Sequence, residues 1–342
     1  MLIPSSVAYT GQTYVQNFDS LPDPGTVSVN TGTATTTIIP ASGPNAVTYN
    51  VRNPFDFAEP IAFGGLGLSN TMAGWYSSDL GNEQIQATTG DNTTGLIVSF
   101  GCTNAVNTVN PLYPTNNCAL GMLASPATSA GGASGDTADA IFALRLRNLS
   151  GQTLTSFNLS YVSELWRNTS TAQLMTNWYY VDTYGTNTTP MNNWTGGLTN
   201  LTFQKTSGTV YGTNAPIATT NMSFVNVPLA VSWPEGGILW IVWEEPTALS
   251  KAQGIGIDNL VFSSGQPRLS VQQTNVSGVN SVAISWPQMF TSYALQYNNV
   301  ASPTGWQNLT VTPPVTETVY EGMNIVTLPA AGTQQYFRLR SN

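Results

Sequence analysis

The 342-residue chain contains no histidine and very little charge. Without histidine there is no Ser-His or Cys-His nucleophile system and no imidazole ligand for a metal. Charged residues make up 8% of the chain, against roughly a quarter of an ordinary soluble domain. Nine basic residues stand against seventeen acidic ones, giving a net charge of −8. Only Lys205 and Lys251 are lysines, and no basic cluster exists to neutralise phosphates. Nucleic acid and anionic membrane are therefore poor partners. No apolar run reaches the ~18 residues that a membrane-crossing helix needs. The opening Met1-Leu2-Ile3-Pro4 lacks a charged n-region followed by an apolar h-region. For a secreted protein this implies a leader already removed or replaced by an initiator Met.

Cysteine occurs twice, at Cys102 and Cys118, flanking a polar, Asn-rich stretch. The pair reads as a disulfide closing a loop of about 15 residues, for which chain entropy suggests on the order of 3 kcal/mol. Two free thiols are the alternative. A disulfide implies an oxidising compartment, hence an extracellular or cell-surface protein.

Hydrophobic residues supply 41% of the chain and aromatics 10%, enough for real cores. Polarity comes from Thr, Asn, Ser and Gly, which suit turns and solvated strand faces and disfavour helix interiors. Period-two alternation dominates. In Thr153–Ser163, Phe157, Leu159 and Tyr161 share one face. In Ala143–Asn148, Leu144 and Leu146 oppose Arg145 and Arg147. Leu239, Ile241 and Trp243 share a face, while Trp240 and Val242 make the other face of that strand apolar too, so it is predicted to lie centrally, covered on both sides. Gly254–Phe262 reads as the strand that closes this region.

The stretch Ser263-Ser264-Gly265-Gln266-Pro267 then reads as a linker. After it, short strands are predicted at Arg268–Gln273, Ser281–Trp286, Tyr293–Tyr297, Asn324–Leu328 and Tyr336–Arg340. The expected fold class is all-β. Residues 1–264 form a large jelly-roll-like β-sandwich, and residues 268–342 a small immunoglobulin- or fibronectin-like one. Ala124–Ala138 and Thr183–Asn200 read as long loops. Gly64-Gly65-Leu66-Gly67 precedes no helix and no lysine, and reads as turns rather than a phosphate loop.

Several segments carry a family resemblance: YVQNFDSLP (Tyr14–Pro22), GWYS (Gly74–Ser77), GDNTTG (Gly90–Gly95), the long block Phe142–Asn168 and GIGIDNLVF (Gly254–Phe262). In that order they resemble the large secreted β-sandwich domains of bacterial surface proteins, often those carrying a PEP-CTERM sorting tail. The stretch Ile284–Arg340 is similar to a small β-domain that often ends such proteins. No such tail is read within these residues, so direct anchoring by that route is not expected. The resemblance implies location and fold more than activity. In similar jelly-rolls, acidic residues on neighbouring first and last strands hold a structural Ca²⁺. Here that role would fall to Asp19 and Asp258, with Asn17, and with Asn259 and Asp91 as further oxygen donors. The plainer reading has Asp19 capping a turn and Asp258 in a buried hydrogen bond.

Catalytic carboxylates are harder to assemble. Glu244 and Glu245 are adjacent on a strand and point to opposite faces, so they cannot share one substrate. Glu164 with one of them is the remaining pair; an ion pair of Glu164 with Arg167 or Arg147 is the simpler expectation. Of the nine tryptophans, Trp240, Trp243 and Trp286 read as core. Trp75, Trp178 and Trp194 lie near turns, and Trp194 is the candidate for stacking on a sugar ring.

The expectation is a structural or adhesive extracellular protein, without an enzymatic centre, that assembles with itself into a coat, matrix or filament. Strand addition is the expected route, with Met1–Thr13 as a candidate donated strand. A calcium-stabilised carbohydrate-binding module whose partner is an extracellular polysaccharide is the alternative, with a carbohydrate-active enzyme behind it.

Overall fold

The computed structural model of the protein describes residues 6–19, 21, 55–56, 72–77, 86–91, 97–101, 117–123, 140–184, 196–213, 215–246, 252–310, 315–330 and 334–341. Among them there is no helix. Cys102, Trp194, Gly64–Gly67 and Ala124–Ala138 lie outside the described residues.

The described residues form four sheets. The first has seven strands, in the order β11 (Gly196–Thr202), β10 (Leu174–Asp182), β14 (Ile238–Glu245), β8 (Ala140–Asn148), β4 (Trp75–Ser77) and β3 (Phe55–Asp56); β1 (Val7–Tyr9) runs parallel along the end of β8. The second has eight, in the order β12 (Val210–Tyr211), β9 (Leu154–Asn168), β15 (Gly254–Ser263), β7 (Ala119–Leu123), β6 (Ile97–Phe100) and β5 (Gln86–Thr88). In addition, β13 (Ala218–Trp233) pairs with β9, and β2 (Tyr14–Gln16) pairs with β15. The third sheet orders β16 (Ser270–Val276), β17 (Val279–Pro287), β21 (Met323–Pro329) and β20 (Thr316–Tyr320). The fourth orders β19 (Gln307–Asn308), β18 (Tyr293–Asn298) and β22 (Tyr336–Ser341).

The first two sheets pack face to face. Their shared core stacks Trp243 between Trp75 and Phe142, at 5.8 and 5.3 Å between ring centres, with Tyr161 of the opposite sheet edge-on at 5.6 Å. Such aromatic contacts add to the apolar area they bury. The outer face of the first sheet is buried as well, by Tyr76, Ile141, Ala143, Ile238, Trp240 and Val242. Arg145 lies buried on that face with its guanidinium 5.7 Å from the Trp240 ring, while Arg147 is exposed. The third and fourth sheets enclose a smaller core around Ile284, Trp286, Leu295, Val326 and Leu328. Four strands facing three is the arrangement of an immunoglobulin-like sandwich. Among the described residues no strand pairing joins the first two sheets to the last two.

Three buried asparagines meet polar demands inside the large sandwich. Asn148 Nδ2 donates to the carbonyls of Gln152 (2.8 Å) and Trp233 (3.0 Å). Asn158 Nδ2 donates to Gly265 O (3.0 Å), and its Oδ1 accepts from Asn226 N (2.8 Å). Asn168 accepts from Gln253 Nε2 (2.8 Å) and donates to Gln204 O (3.0 Å). All three asparagines head Asn-x-Ser sequences, yet they are buried and hydrogen-bonded, which removes them as glycosylation sites in the folded protein.

Two expectations change. Val7–Tyr9, within the candidate donated strand Met1–Thr13, is already paired to Leu146–Asn148 of its own chain. Gly196–Asn200, expected as loop, belongs to β11, paired with β10. The seat of β1 depends on Gly74. At φ 84° its backbone suits glycine, and an added Cβ would lie 2.6 Å from Val7 N and 2.8 Å from Arg145 O. Gly74→Ala is expected to lose at least about 2 kcal/mol of stability, read as a lowered midpoint in denaturant; an unchanged midpoint contradicts the close packing of β1.

Candidate functional site

The acidic side chains gather where the two sandwiches meet. β2 runs antiparallel to β15, with Gln16 opposite Leu260. The chain then turns through Phe18, whose φ is 57°. Its ring is fully buried, edge-on to Trp75 at 4.9 Å, and its N–H donates to Gln16 Oε1 at 3.0 Å. This turn carries Asn17 and Asp19 toward β15.

On β15 the pairing with β9 shifts register between Asp258 and Val261. Asn259 takes φ 50° there. The bulge lets Ile257 and Leu260 both enter the core while Asp258 turns to the outer face of the sheet. Asp258 Oδ1 accepts the Asn259 N–H at 2.6 Å, and its Oδ2 accepts from Asn259 Nδ2 at 2.8 Å. Glu164 lies on the neighbouring strand, opposite Gly256. Its partner is the Trp166 indole N–H, at 2.8 Å from Oε2, where the sequence suggested an arginine.

The second sandwich contributes Glu321. Glu321 and Gly322 form the two-residue turn between β20 and β21, with φ 48° and 71°. Left-handed backbone at both central positions is the hairpin turn that matches strand twist. The turn seats on the β15 bulge: a Cβ on Gly322 would lie 2.8 Å from Val261 Cγ2 and 3.4 Å from Asn259 O. Val261 packs there with Met289 and Phe290. Asn17 spans the junction, its Nδ2 donating to Asp19 Oδ2 (2.8 Å) and to Glu321 Oε1 (2.7 Å). Asp19 Oδ1 accepts the Cys118 N–H at 3.2 Å.

These acids press on one another. Burial pushes Asp19 up to about 6, with the Glu321 charge adding to it and the Cys118 N–H opposing it. Burial pushes Glu164 up to about 7 against the Trp166 hydrogen bond. Asp258 is held well above the usual carboxylate range, first by burial and then by the charges of Glu164, Asp19 and Glu321. Glu164 and Asp258 are 4% and 1% exposed, so burial disfavours the charged form of both carboxyls. Among the described residues no three acidic side chains converge closely enough to hold a metal ion as they stand.

Asn17, Asp19, Asp258 and Asn259 thus share one neighbourhood, and Asp91 is not among the charges acting on Asp258. Glu321 was missed because nothing local in the sequence shows which turn of the second sandwich meets the first. Glu244 and Glu245 are on the sheet opposite Glu164, and Glu245 is fully buried. Trp75 is core, not surface. Trp178 is half-buried and donates to Thr176 Oγ1 at 2.7 Å.

Two clefts of about 450 Å³ each flank the Glu321–Gly322 turn. One is lined by Gln12, Thr13, Arg268, Ser270, Tyr320 and Glu321. The other is lined mainly by neutral side chains, Ser160, Asn221, Ser223, Asn259, Gln288 and Thr291 among them.

No family model matches the chain, and no curated protein matches it. Among solved structures it is similar to the K1 cleaved adhesin domain of Lys-gingipain from Porphyromonas gingivalis W83, at 10% identity and a TM-score of 0.30, over 75% of this chain and 100% of that one. It is also similar to an arabinose-bound α-L-arabinofuranosidase, at 12% identity and a TM-score of 0.29, over 66% of this chain and 28% of that one. Similarities this distant assign no function.

The raised carboxyl pKa values make folding take up protons. Their contribution to stability is complete below the unfolded values near 4 and is lost as pH rises through about 6 to 7. The melting temperature is expected to fall between pH 5 and pH 8. Glu321→Gln, which keeps an acceptor for Asn17, is expected to flatten that fall. A melting temperature that is level or rises over this range contradicts the cluster.

Proposed function

We propose that this chain is an extracellular structural or adhesive protein that works by associating with copies of itself. The observation that carries this reading is the state of its sheet edges. β13 and β16 each end a sheet, and neither contains a charged residue. Val225 and Val231 on β13, and Val271 and Val276 on β16, are exposed. Soluble proteins usually guard such edges with charges. The Cys102–Cys118 bridge belongs to the same proposal, since it requires an oxidising compartment. Cys118 is buried, and no free cysteine is found among the described residues. No helix of the described residues is long and apolar enough to cross a membrane.

Sedimentation of the purified full chain over a hundredfold range of concentration, with negative-stain microscopy of the concentrated sample, tests the reading. Concentration-dependent oligomers or filaments are expected. A monodisperse monomer throughout opposes it.

A second reading, carbohydrate binding, is favoured by the neutral cleft. Within the described residues its Ser160, Asn221, Ser223, Gln288 and Thr291 side chains make no hydrogen bond, and uncharged amides and hydroxyls are the groups that read sugar hydroxyls. Calcium at Asp19, Asn17 and Asp258 is part of this reading. A glycan array probed with calcium and with EDTA tests both. Binding that calcium strengthens supports them; no retained glycan in either condition removes the reading.

A further inference from the structure

We infer that the Ala218–Val225 half of β13 is the edge at which two copies of this chain join, antiparallel, by strand addition. The inference rests on the self-association reading and locates it. Over Ala218–Phe224, β13 is paired on one side only, to β9, with Ala218 opposite Leu165 and Phe224 opposite Leu159. Along its other side, a row of backbone N–H and C=O groups has no described partner. The chemistry that satisfies such a row is another extended strand.

Three observations narrow the occupant and the stretch. Ala218, Met222 and Phe224 pack against the main core but remain half-buried, so the core stops short at this edge. An added strand would complete their burial. The alternate residues Thr219, Asn221, Ser223 and Val225 are exposed and uncharged, so two copies of the same edge meet without like-charge repulsion. Beyond Val225 the strand is guarded: Asn226 takes φ 55°, the pairing with β9 shifts register between Phe224 and Val227, and Pro228 follows. A bulge and a proline are the devices that close an edge to pairing. The flat, open part therefore ends at Val225.

A second copy fits this stretch by symmetry. Antiparallel pairing centred on Met222 places Asn221 of one copy opposite Ser223 of the other, twice, and Thr219 opposite Val225. On the inner row Met222 meets Met222 and Thr220 meets Phe224, which continues the core across the join. Ile217, exposed beside the start of β13, and Tyr211 and Val210 of the collinear β12 border the same edge.

The test uses paired charge variants of the full chain. Asn221→Lys with Ser223→Lys sets lysine against lysine at both symmetric contacts, and Asn221→Glu with Ser223→Glu sets glutamate against glutamate. Both positions are exposed, so melting temperatures should match wild type. By sedimentation, each variant alone is expected to associate at least about tenfold more weakly than wild type. A one-to-one mixture is expected to recover a mixed pair. Wild-type association that survives in both variants overturns this edge and leaves self-association standing. A wild type that stays monomeric overturns both. Weakened association without recovery on mixing overturns the antiparallel register.

Discussion

So few charged side chains are available to this chain that much of its buried hydrogen bonding falls to neutral amides. Asn148, Asn158 and Asn168 recur along β8 and β9 and clamp carbonyls distant in sequence, Trp233 O at the end of β13 and Gly265 O among them. A neutral amide offers donors and an acceptor without the desolvation cost of an ion, so it can be buried where an ion pair would be expensive. The same scarcity shapes the junction between the sandwiches. Asp19, Glu164, Asp258 and Glu321 come together there, and the charges acting on Asp258 are all acidic. An amide, Asn17, bridges two of them. Burial and these like charges hold the Asp19 and Asp258 carboxyls above their usual range.

Scarce charge also leaves the sheet edges bare. Proteins commonly keep edge strands apart with lysines or inward-pointing charges. Here β13 relies on the bulge at Asn226 and on Pro228, and these protect only its second half. An edge guarded along half its length and open along the other half accepts pairing in one place. Under the self-association reading, that favours association at one place over general stickiness.

Much of the fold was legible because the large strands keep strict alternation. β8, β9, β14 and β15 were found from Leu144/Leu146, Phe157/Leu159/Tyr161, Leu239/Ile241/Trp243 and the GIGIDNLVF stretch, and the doubly apolar β14 does lie inside its sheet. β13, the longest strand, was not found, since the bulge at Asn226 moves the inward row from Met222 and Phe224 to Val227 and Leu229 and erases the period. The proximity of Asp19 to Asp258 was readable from their places beside the first and last strands of the large sandwich. Glu321 was not, since it arrives through a contact between two sheet pairs that share no strand pairing among the described residues, and no periodicity within either pair encodes that contact. Glu164 was misassigned to an arginine because its indole partner, Trp166, lies only two residues along the same strand.

Amide hydrogen exchange followed in dilute and in concentrated solution tests the central claim most directly, since it reads the free edge itself. The account predicts that outward-facing amides of Ala218–Val225 exchange freely when dilute and gain protection on concentration, while amides of β9 across Ser160–Ser163 are protected in both. Exchange along Ala218–Val225 that does not change with concentration, while the protein is associating, would contradict it.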